Sequence, residues 1–401
     1  MTRPFRRRVL YIPGYDPIPP RRYRELYRRE GARQAAISGY RLGFGARGDR
    51  TGFGWGVTGD FPEGAAEAEV EVLVWADVVA GSMGHSIPAT YGQLVRTAWA
   101  YVGSGALWRL MRLRRGPVIA ALYPIAVLLV QALAAGLLAV GIAVLGARLV
   151  HWLPGVVLGL AAGAALLGWF RRIDGRVFAY YLMHDYAFTA QDGGAYPPAL
   201  EARIAVFAER VAEVLAGDWD EVLVVGHSSG AYLAVSVLAD LVRAGRAAED
   251  GRLALLTLGH VVPMASFLPR AGRLRADLRY LSARVEVTWV DVSAPGDACC
   301  FGLCDPVAVS SVEPEGRVGP LVLSAAFSRT LSPETQRALR GRWFRLHFQY
   351  LCAFDRPEGY DYFAITAGPL PLGERFAGRG HSPGRIARAV NDWPGRAEGA
   401  P

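Results

Sequence analysis

The sequence contains no lysine. All 44 of its basic residues are arginine, against 36 acidic residues, and the formal net charge is +8. A positive surplus often accompanies binding to nucleic acid or to anionic lipid. An arginine-only surplus also follows from GC-rich coding, so the net charge does not identify a partner. We expect no nucleic-acid partner.

Cysteine is scarce, and Cys299, Cys300 and Cys304 fall within one short stretch, with Cys352 further on. Secreted disulfide domains space their cysteines along the chain, so we expect reduced thiols. The spacing CCxxxC also lacks the paired CxxC pattern of a zinc site. The sequence predicts no metal ion and no organic cofactor.

Charge is almost absent from one long segment, because Arg148 is the only formally charged residue between Pro117 and Phe170. One helix of this length would reach about 80 Å, whereas the hydrocarbon core of a bilayer is about 30 Å thick. The segment therefore predicts a transmembrane hairpin over residues 117–172, with spans at 120–145 and 149–170 and a turn at 148–155. The alternative is a pair of buried core helices in a soluble protein.

Arginines flank both outer ends of this hairpin. They are Arg109, Arg112, Arg114 and Arg115 before it and Arg171, Arg172 and Arg176 after it. By the positive-inside rule, both ends lie on the cytoplasmic side of an inner, bacterial-type membrane. Residues 107–115, rich in Trp, Leu and Arg, predict either a helix along the membrane surface or a helix packed on the sheet with its arginines in water.

On both sides of the hairpin the pattern is that of an α/β fold. Apolar runs predict strands at 8–12, 69–79, 221–225, 253–258 and 285–290, and helical periodicity predicts a helix from Leu200 to Gly217 and another after Ser229. Alternating strands and helices predict a mainly parallel sheet with flanking helices. We divide the chain into residues 1–116, the hairpin, residues 173–372, and a loose Gly/Arg/Pro-rich tail at 373–401.

The motif Gly226-His227-Ser228-Ser229-Gly230 directly follows one predicted strand and opens a helix. The pattern GxSxG alone is weak evidence for a catalytic serine. Here, however, its position between a strand and a helix places Ser228 on a sharp turn, where side chains at the two glycines would collide. The helix N-terminus favours negative charge on an attacked carbonyl. Ser228 is therefore the predicted nucleophile, and the alternative is an ordinary glycine-rich turn.

With this motif the chain resembles the α/β-hydrolase superfamily, of the lipase and esterase type, over residues 7–15 and 201–365. The resemblance implies an oxyanion loop after an early strand, which falls on residues 11–17, although the usual His-Gly pair is missing there. It points to the backbone N–H groups of Tyr15 and Ser229 as oxyanion donors. The alternative for this loop is a simple Pro-Gly turn.

The resemblance also implies an acid and then a histidine after the serine. Asp297 and Asp305 are the candidate acids, and we prefer Asp297 because Pro295 and Gly296 supply a turn right after a strand. Of the histidines, only His347 and His381 come after both candidate acids in the sequence. We prefer His347, because it lies in an apolar, aromatic run that predicts ordered structure, whereas His381 lies in the predicted tail.

These residues predict a serine hydrolase that cleaves an acyl ester of a small molecule or lipid, with the bilayer as a partner. A thioesterase, amidase or acyltransferase would use the same triad. A catalytically silent interaction module with the same fold is the alternative from another class. A transport component finds no support, since the hairpin holds no ionisable pair.

Overall fold

The computed structural model describes residues 3–48, 51–84 and 86–393. The chain forms two compact units. The sheet unit comprises Met1–Ala80, Trp108–Pro117 and Asp192–Pro401, and the helical unit comprises Gly81–Leu107 and Val118–Gln191.

The sheet unit is built on a single eight-stranded sheet within the described residues. The strands are β1 (Phe5–Ile12), β2 (Arg41–Gly45), β3 (Phe53–Phe61), β4 (Gly64–Val72), β5 (Glu221–His227), β6 (Leu253–Leu258), β7 (Val287–Ser293) and β8 (Leu321–Ser324). Their order is β2-β3-β4-β1-β5-β6-β7-β8. The pairs β2/β3 and β3/β4 are antiparallel and all others are parallel. The prediction of a mainly parallel sheet with flanking helices is confirmed.

The helices are α1 (Arg21–Ser38), α2 (Ala76–Ser82), α3 (Ile87–Gly103), α4 (Ala106–Leu113), α5 (Arg115–Leu149), α6 (Trp152–Arg172), α7 (Asp174–Val177), α8 (Ala179–Ala190), α9 (Pro198–Leu215), α10 (Ser229–Arg243), α11 (Val262–Ser266), α12 (Gly272–Ser282), α13 (Pro306–Val309), α14 (Phe327–Thr330), α15 (Pro333–Leu339), α16 (Trp343–His347), α17 (Tyr362–Ala367) and α18 (Leu372–Arg375). Short 3₁₀ helices span Gln191–Gly194 and Phe348–Leu351.

The core lies around the central strands. Every residue of β5 is buried, and nearly all of α10 is buried against the sheet. Within this core Arg7 of β1 is paired with Glu221 of β5 at 2.5 Å. A buried charge is tolerated only when it is paired and hydrogen-bonded, and here the pair joins the two strands that carry the candidate site.

Two strand predictions need correction. The strand predicted at 69–79 ends at Val72 and is followed by α2, because a short apolar run does not distinguish a strand from a buried helix. The strand predicted at 285–290 runs instead from Val287 to Ser293. Strands β2, β3 and β8 were not predicted. Glycine, which is depleted in strands, recurs in β2 and β3.

The C-terminal stretch is not the loose tail that its composition predicted, at least as far as Trp393. Ser382 donates its N–H to the carbonyl of Val322 in β8 at 2.9 Å. Ile386 bridges to Cys304, and the buried Asn391 side chain donates to the carbonyl of Ser310 at 3.2 Å. Residues 394–401 lie outside the described residues.

Helix α4, whose sequence left two alternatives open, packs inward with Leu110 and Leu113. Arg109 pairs with Asp392 at 2.8 Å, while Arg112 and Arg115 are exposed. Trp108 and Met111 of the same helix are exposed as well, so this arrangement fits both alternatives.

In the helical unit, α5 and α6 form the predicted hairpin, joined through Val150 and His151. The glycines Gly155, Gly159 and Gly163 of α6 are buried against α5. A Cβ on Gly155 would lie 2.7 Å from the carbonyl oxygen of Ala143, and one on Gly163 would lie 3.0 Å from that of Ala135. The two backbones touch through small residues, as transmembrane helices often do.

The other faces of α5 and α6 are apolar and exposed. In each helix, only 17% of the most apolar stretch of 18 residues is buried. The exposed side chains include Leu133, Leu137, Val140, Val144, Val157 and Leu160. Core helices of a soluble protein would cover such residues, so the alternative of buried core helices does not fit this structure.

Candidate active site

Ser228 lies on the turn from β5 to α10, with φ 59° and ψ −122°. Non-glycine residues rarely adopt such a conformation, which costs about 1–3 kcal/mol and often marks a functional site. The flanking glycines are sterically required, since a Cβ on Gly226 would lie 2.5 Å from the carbonyl oxygen of Gly230 and one on Gly230 would overlap the carbonyl of Ile12. Ser228 is partly exposed, whereas its neighbours His227 and Ser229 are buried.

The loop after β1 passes beside this serine. A Cβ on Gly14 would lie 3.4 Å from the Oγ of Ser228, and the indole N–H of Trp75 donates to the Pro13 carbonyl at 2.9 Å. The N–H of Tyr15 donates to the Oγ of Ser229 at 3.1 Å. The Tyr15 N–H is thus hydrogen-bonded to the Ser229 hydroxyl in this structure, and the roles of Tyr15 and Ser229 as oxyanion donors stay predictions.

His347, at the end of α16, lies next to the elbow. Its ring centroid is 4.8 Å from that of His227. Burial lowers the pKa of His227 to about 3, so His227 is neutral, and its Nε2–H donates to the backbone carbonyl of His347 at 3.0 Å. The elbow histidine thus holds the backbone of the predicted base, a role its motif did not reveal.

Asp297 follows β7 and lies against His347. Its Oδ2 is 2.7 Å from the Nδ1 of His347, and its Oδ1 accepts the N–H of Cys299 at 2.8 Å. Burial alone would raise the pKa of Asp297, but the imidazole of His347 and these hydrogen bonds hold it below its ordinary value. A charged Asp297 fixes the His347 ring with Nδ1 protonated, which leaves Nε2 to accept a proton.

Tyr350 was not among the predicted site residues. Its hydroxyl donates to the Oδ2 of Asp297 at 3.1 Å and accepts the N–H of Ala294 at 2.9 Å. It follows His347 by three residues, the spacing that puts two side chains on one side of a helical turn. That spacing was the only sign of its role in the sequence.

The two runner-up residues are engaged elsewhere. Asp305 caps α13 by accepting the N–H of Val307 at 3.1 Å, and its other oxygen pairs with Arg317 and Arg385, each at 2.6 Å. His381 accepts the N–H of Val322 at its Nδ1, at 3.0 Å. The structure thus brings His347 and Asp297 together next to the elbow that carries Ser228, and it leaves Asp305 and His381 in structural contacts.

Replacement of Tyr350 by Phe tests its hydrogen bond to Asp297. A hydrogen bond to a charged group contributes about 1.5–3 kcal/mol, and each 1.4 kcal/mol changes a rate about tenfold. We expect Tyr350→Phe to lower kcat about tenfold and to raise the pKa of Asp297, which a pH–rate profile would record. The matched control is Tyr360→Phe, because the Tyr360 hydroxyl is also buried but donates to the Tyr350 carbonyl. Equal loss of activity in both variants would contradict a specific role for Tyr350.

Comparison of the chain with family models, with curated proteins and with solved structures finds no match. The class of protein therefore rests on the fold and on the geometry of the site.

Proposed function

We propose that this chain is a membrane-anchored serine hydrolase of the α/β-hydrolase type. It cleaves an acyl ester through Ser228, His347 and Asp297. The observation that carries the proposal is the strained Ser228 turn next to a histidine whose Nδ1 is 2.7 Å from a buried carboxylate. An ordinary glycine-rich turn requires neither the strain nor the buried pair.

In the proposed reaction the Oγ of Ser228 attacks the ester carbonyl while the Nε2 of His347 takes its proton. The negative charge moves to the carbonyl oxygen, near the N-terminus of α10 and the N–H groups of Tyr15 and Ser229. Protonated His347 then gives its proton to the leaving alcohol, and an acyl-enzyme remains. Water, deprotonated by His347, attacks the acyl group and releases the acid and free Ser228.

The substrate class is an ester of a small molecule or a lipid. The membrane hairpin supports a substrate presented at a bilayer. Thioesters, amides and transfer to another acceptor use the same triad, so assays with matched ester, thioester and amide substrates separate these reactions.

A fluorophosphonate probe tests the nucleophile, because it phosphonylates only an activated serine. We expect the purified protein to be labelled and Ser228→Ala to lose all labelling. Ser328→Ala, at an exposed serine of α14, should be labelled like the original protein. An unlabelled original protein would favour the silent interaction module, and a labelled Ser228→Ala variant would place the nucleophile elsewhere.

The hairpin is proposed to span the inner membrane, with both of its ends and the sheet unit on the cytoplasmic side. Its apolar outer faces and the arginines Arg115, Arg171 and Arg172 at its outer ends support this topology. We expect the protein to fractionate with membranes and a variant lacking residues 117–170 to be released. Reporters fused near Trp152 should read as outside and reporters at the C-terminus as cytoplasmic. An intact chain that stays in solution without detergent would contradict the anchor.

A further inference from the structure

In the helical unit, α3 packs through one face at a defined level of α5. Leu94 belongs to a buried cluster with Leu128 of α5 and Met183 of α8. The hydroxyl of Tyr91 donates to the carbonyl of Leu128 at 2.9 Å. These contacts place α3 beside α5 near Leu128.

A neighbouring face of α3 is apolar and exposed. Val95 is 65% exposed, Trp99 79% and Val102 50%. Steps of four and three residues put these side chains in one stripe along the helix. Arg96 is exposed beside them, and α3 carries no acidic residue. Tryptophan is enriched where hydrocarbon meets water, and arginine is favoured near anionic headgroups.

The packing of the hairpin shows where α6 ends relative to α5. The facing residues are Gly155 and Ala143, Gly159 and Ala139, and Gly163 and Ala135. A step of four along α6 therefore matches a step of four back along α5. Continued to the end of α6, this register places Arg172 level with Ala126, to within about one turn.

Arg171 and Arg172 are exposed and end the apolar part of α6, so the membrane boundary falls near this level. Leu128, which α3 contacts, lies within one turn of Ala126. Helix α3 is thus attached to the hairpin at the height of the boundary.

We propose that α3 is a membrane-surface helix. The stripe of Val95, Trp99 and Val102 lies in the headgroup layer of the bilayer that α5 and α6 span, and Arg96 faces anionic headgroups. This inference rests on the membrane anchor of the proposed function. The protein then holds the bilayer by two spanning helices and by one amphipathic helix at the cytoplasmic boundary.

Tryptophan quenching by brominated lipid tests this placement in the full-length protein. The protein is reconstituted in nanodiscs that contain phosphatidylglycerol and phosphatidylcholine brominated near the headgroup end of its chains. The fluorescence of Trp99 is obtained by subtracting the emission of Trp99→Phe from the emission of the original protein. We expect lipid bromine to quench most of this difference. Trp219→Phe is the control, since Trp219 lies in the sheet unit under the guanidinium of Arg6. The fluorescence of Trp219, obtained by the same subtraction, should not be quenched by the brominated lipid.

Two further sets of measurements test the apolar stripe and the role of lipid charge separately. Val95→Ser should reduce the quenching of Trp99, and Val206→Ser, at an exposed position of α9, should leave it unchanged. Replacing phosphatidylglycerol by phosphatidylcholine should weaken the quenching, and Arg96→Gln should abolish this dependence on lipid charge.

The hairpin tryptophans Trp152 and Trp169 separate the two ways in which the experiment can fail. If lipid bromine quenches them but spares Trp99, the inference about α3 is wrong and the spanning hairpin stands. If they are not quenched, the proposal that the hairpin spans the membrane is wrong, and the inference about α3 is wrong as well.

Discussion

His347→Ala should lower kcat by several orders of magnitude, toward the roughly 10⁶-fold loss expected when a triad base is removed. Without the imidazole, no group is positioned to take the proton of Ser228. Steady-state kinetics with a soluble ester measures the loss. The fold should persist, because the contact from His227 to the carbonyl of His347 does not involve the deleted ring, but the melting temperature should fall, since the buried Asp297 carboxylate loses its partner.

His381→Ala is the matched control for His347→Ala. Burial and nearby Arg385 lower the pKa of His381, so its ring is a neutral acceptor for the N–H of Val322. Its loss removes one hydrogen bond, worth about 1 kcal/mol of stability, and should leave kcat nearly unchanged. An active His347→Ala protein would show that the triad assignment is wrong.

Asp297→Asn should lower kcat about 10⁴-fold, because a neutral amide no longer holds the protonated Nδ1 of His347 toward it. The kinetic loss should appear with little change in substrate affinity. Asp305→Asn is the matched control, with the same isosteric change eight residues further along the chain. Each Asp305→Asn molecule that folds should keep kcat within a few-fold of the original.

Asp305→Asn should instead affect stability. Breaking a buried ion pair costs about 3–5 kcal/mol, and Asp305 is paired with Arg317 and Arg385. Burial alone would raise the pKa of Asp305, but Arg317 and the hydrogen bonds hold it below its ordinary value. Its contribution to stability is therefore complete above the unfolded-state pKa of about 3.9 and is lost as the pH falls through the lower folded pKa.

Urea unfolding between neutral and acid pH should show that Asp305→Asn flattens this dependence. If Asp305→Asn abolished activity while Asp297→Asn kept it, Asp305 would be the acid.

The parts of the fold that were predicted correctly depend on neighbouring residues. Strand β6 has the predicted bounds, Leu253–Leu258, because its apolar run ends in turn residues on both sides. Helix α10 begins at Ser229, as the glycine-flanked serine indicated. The hairpin was visible because its composition is extreme over a long segment.

The errors occurred where distant contacts determine the structure. Glycine-rich β3 forms a strand on the edge of β4, and β2 pairs in turn with β3, and no local pattern records these partners. Composition predicted a loose tail, but Ser382 hydrogen-bonds to β8 and Ile386 bridges to Cys304, contacts that residues far away in the chain provide.

The sequence by itself determined the turn that carries the predicted nucleophile, because that turn follows from residue types at short spacing. The chain order of the candidate acid and base was implied by the resemblance to the α/β-hydrolase superfamily. Only the tertiary structure decided which carboxylate lies on His347, because Asp297 and Asp305 are chemically alike and lie in the same stretch of chain. The choice is made by the packing of α16 against the loop after β7, which joins two residues 50 positions apart. The same packing brought Tyr350 to Asp297 and His227 to the carbonyl of His347, since contacts of that range depend on the assembled sheet.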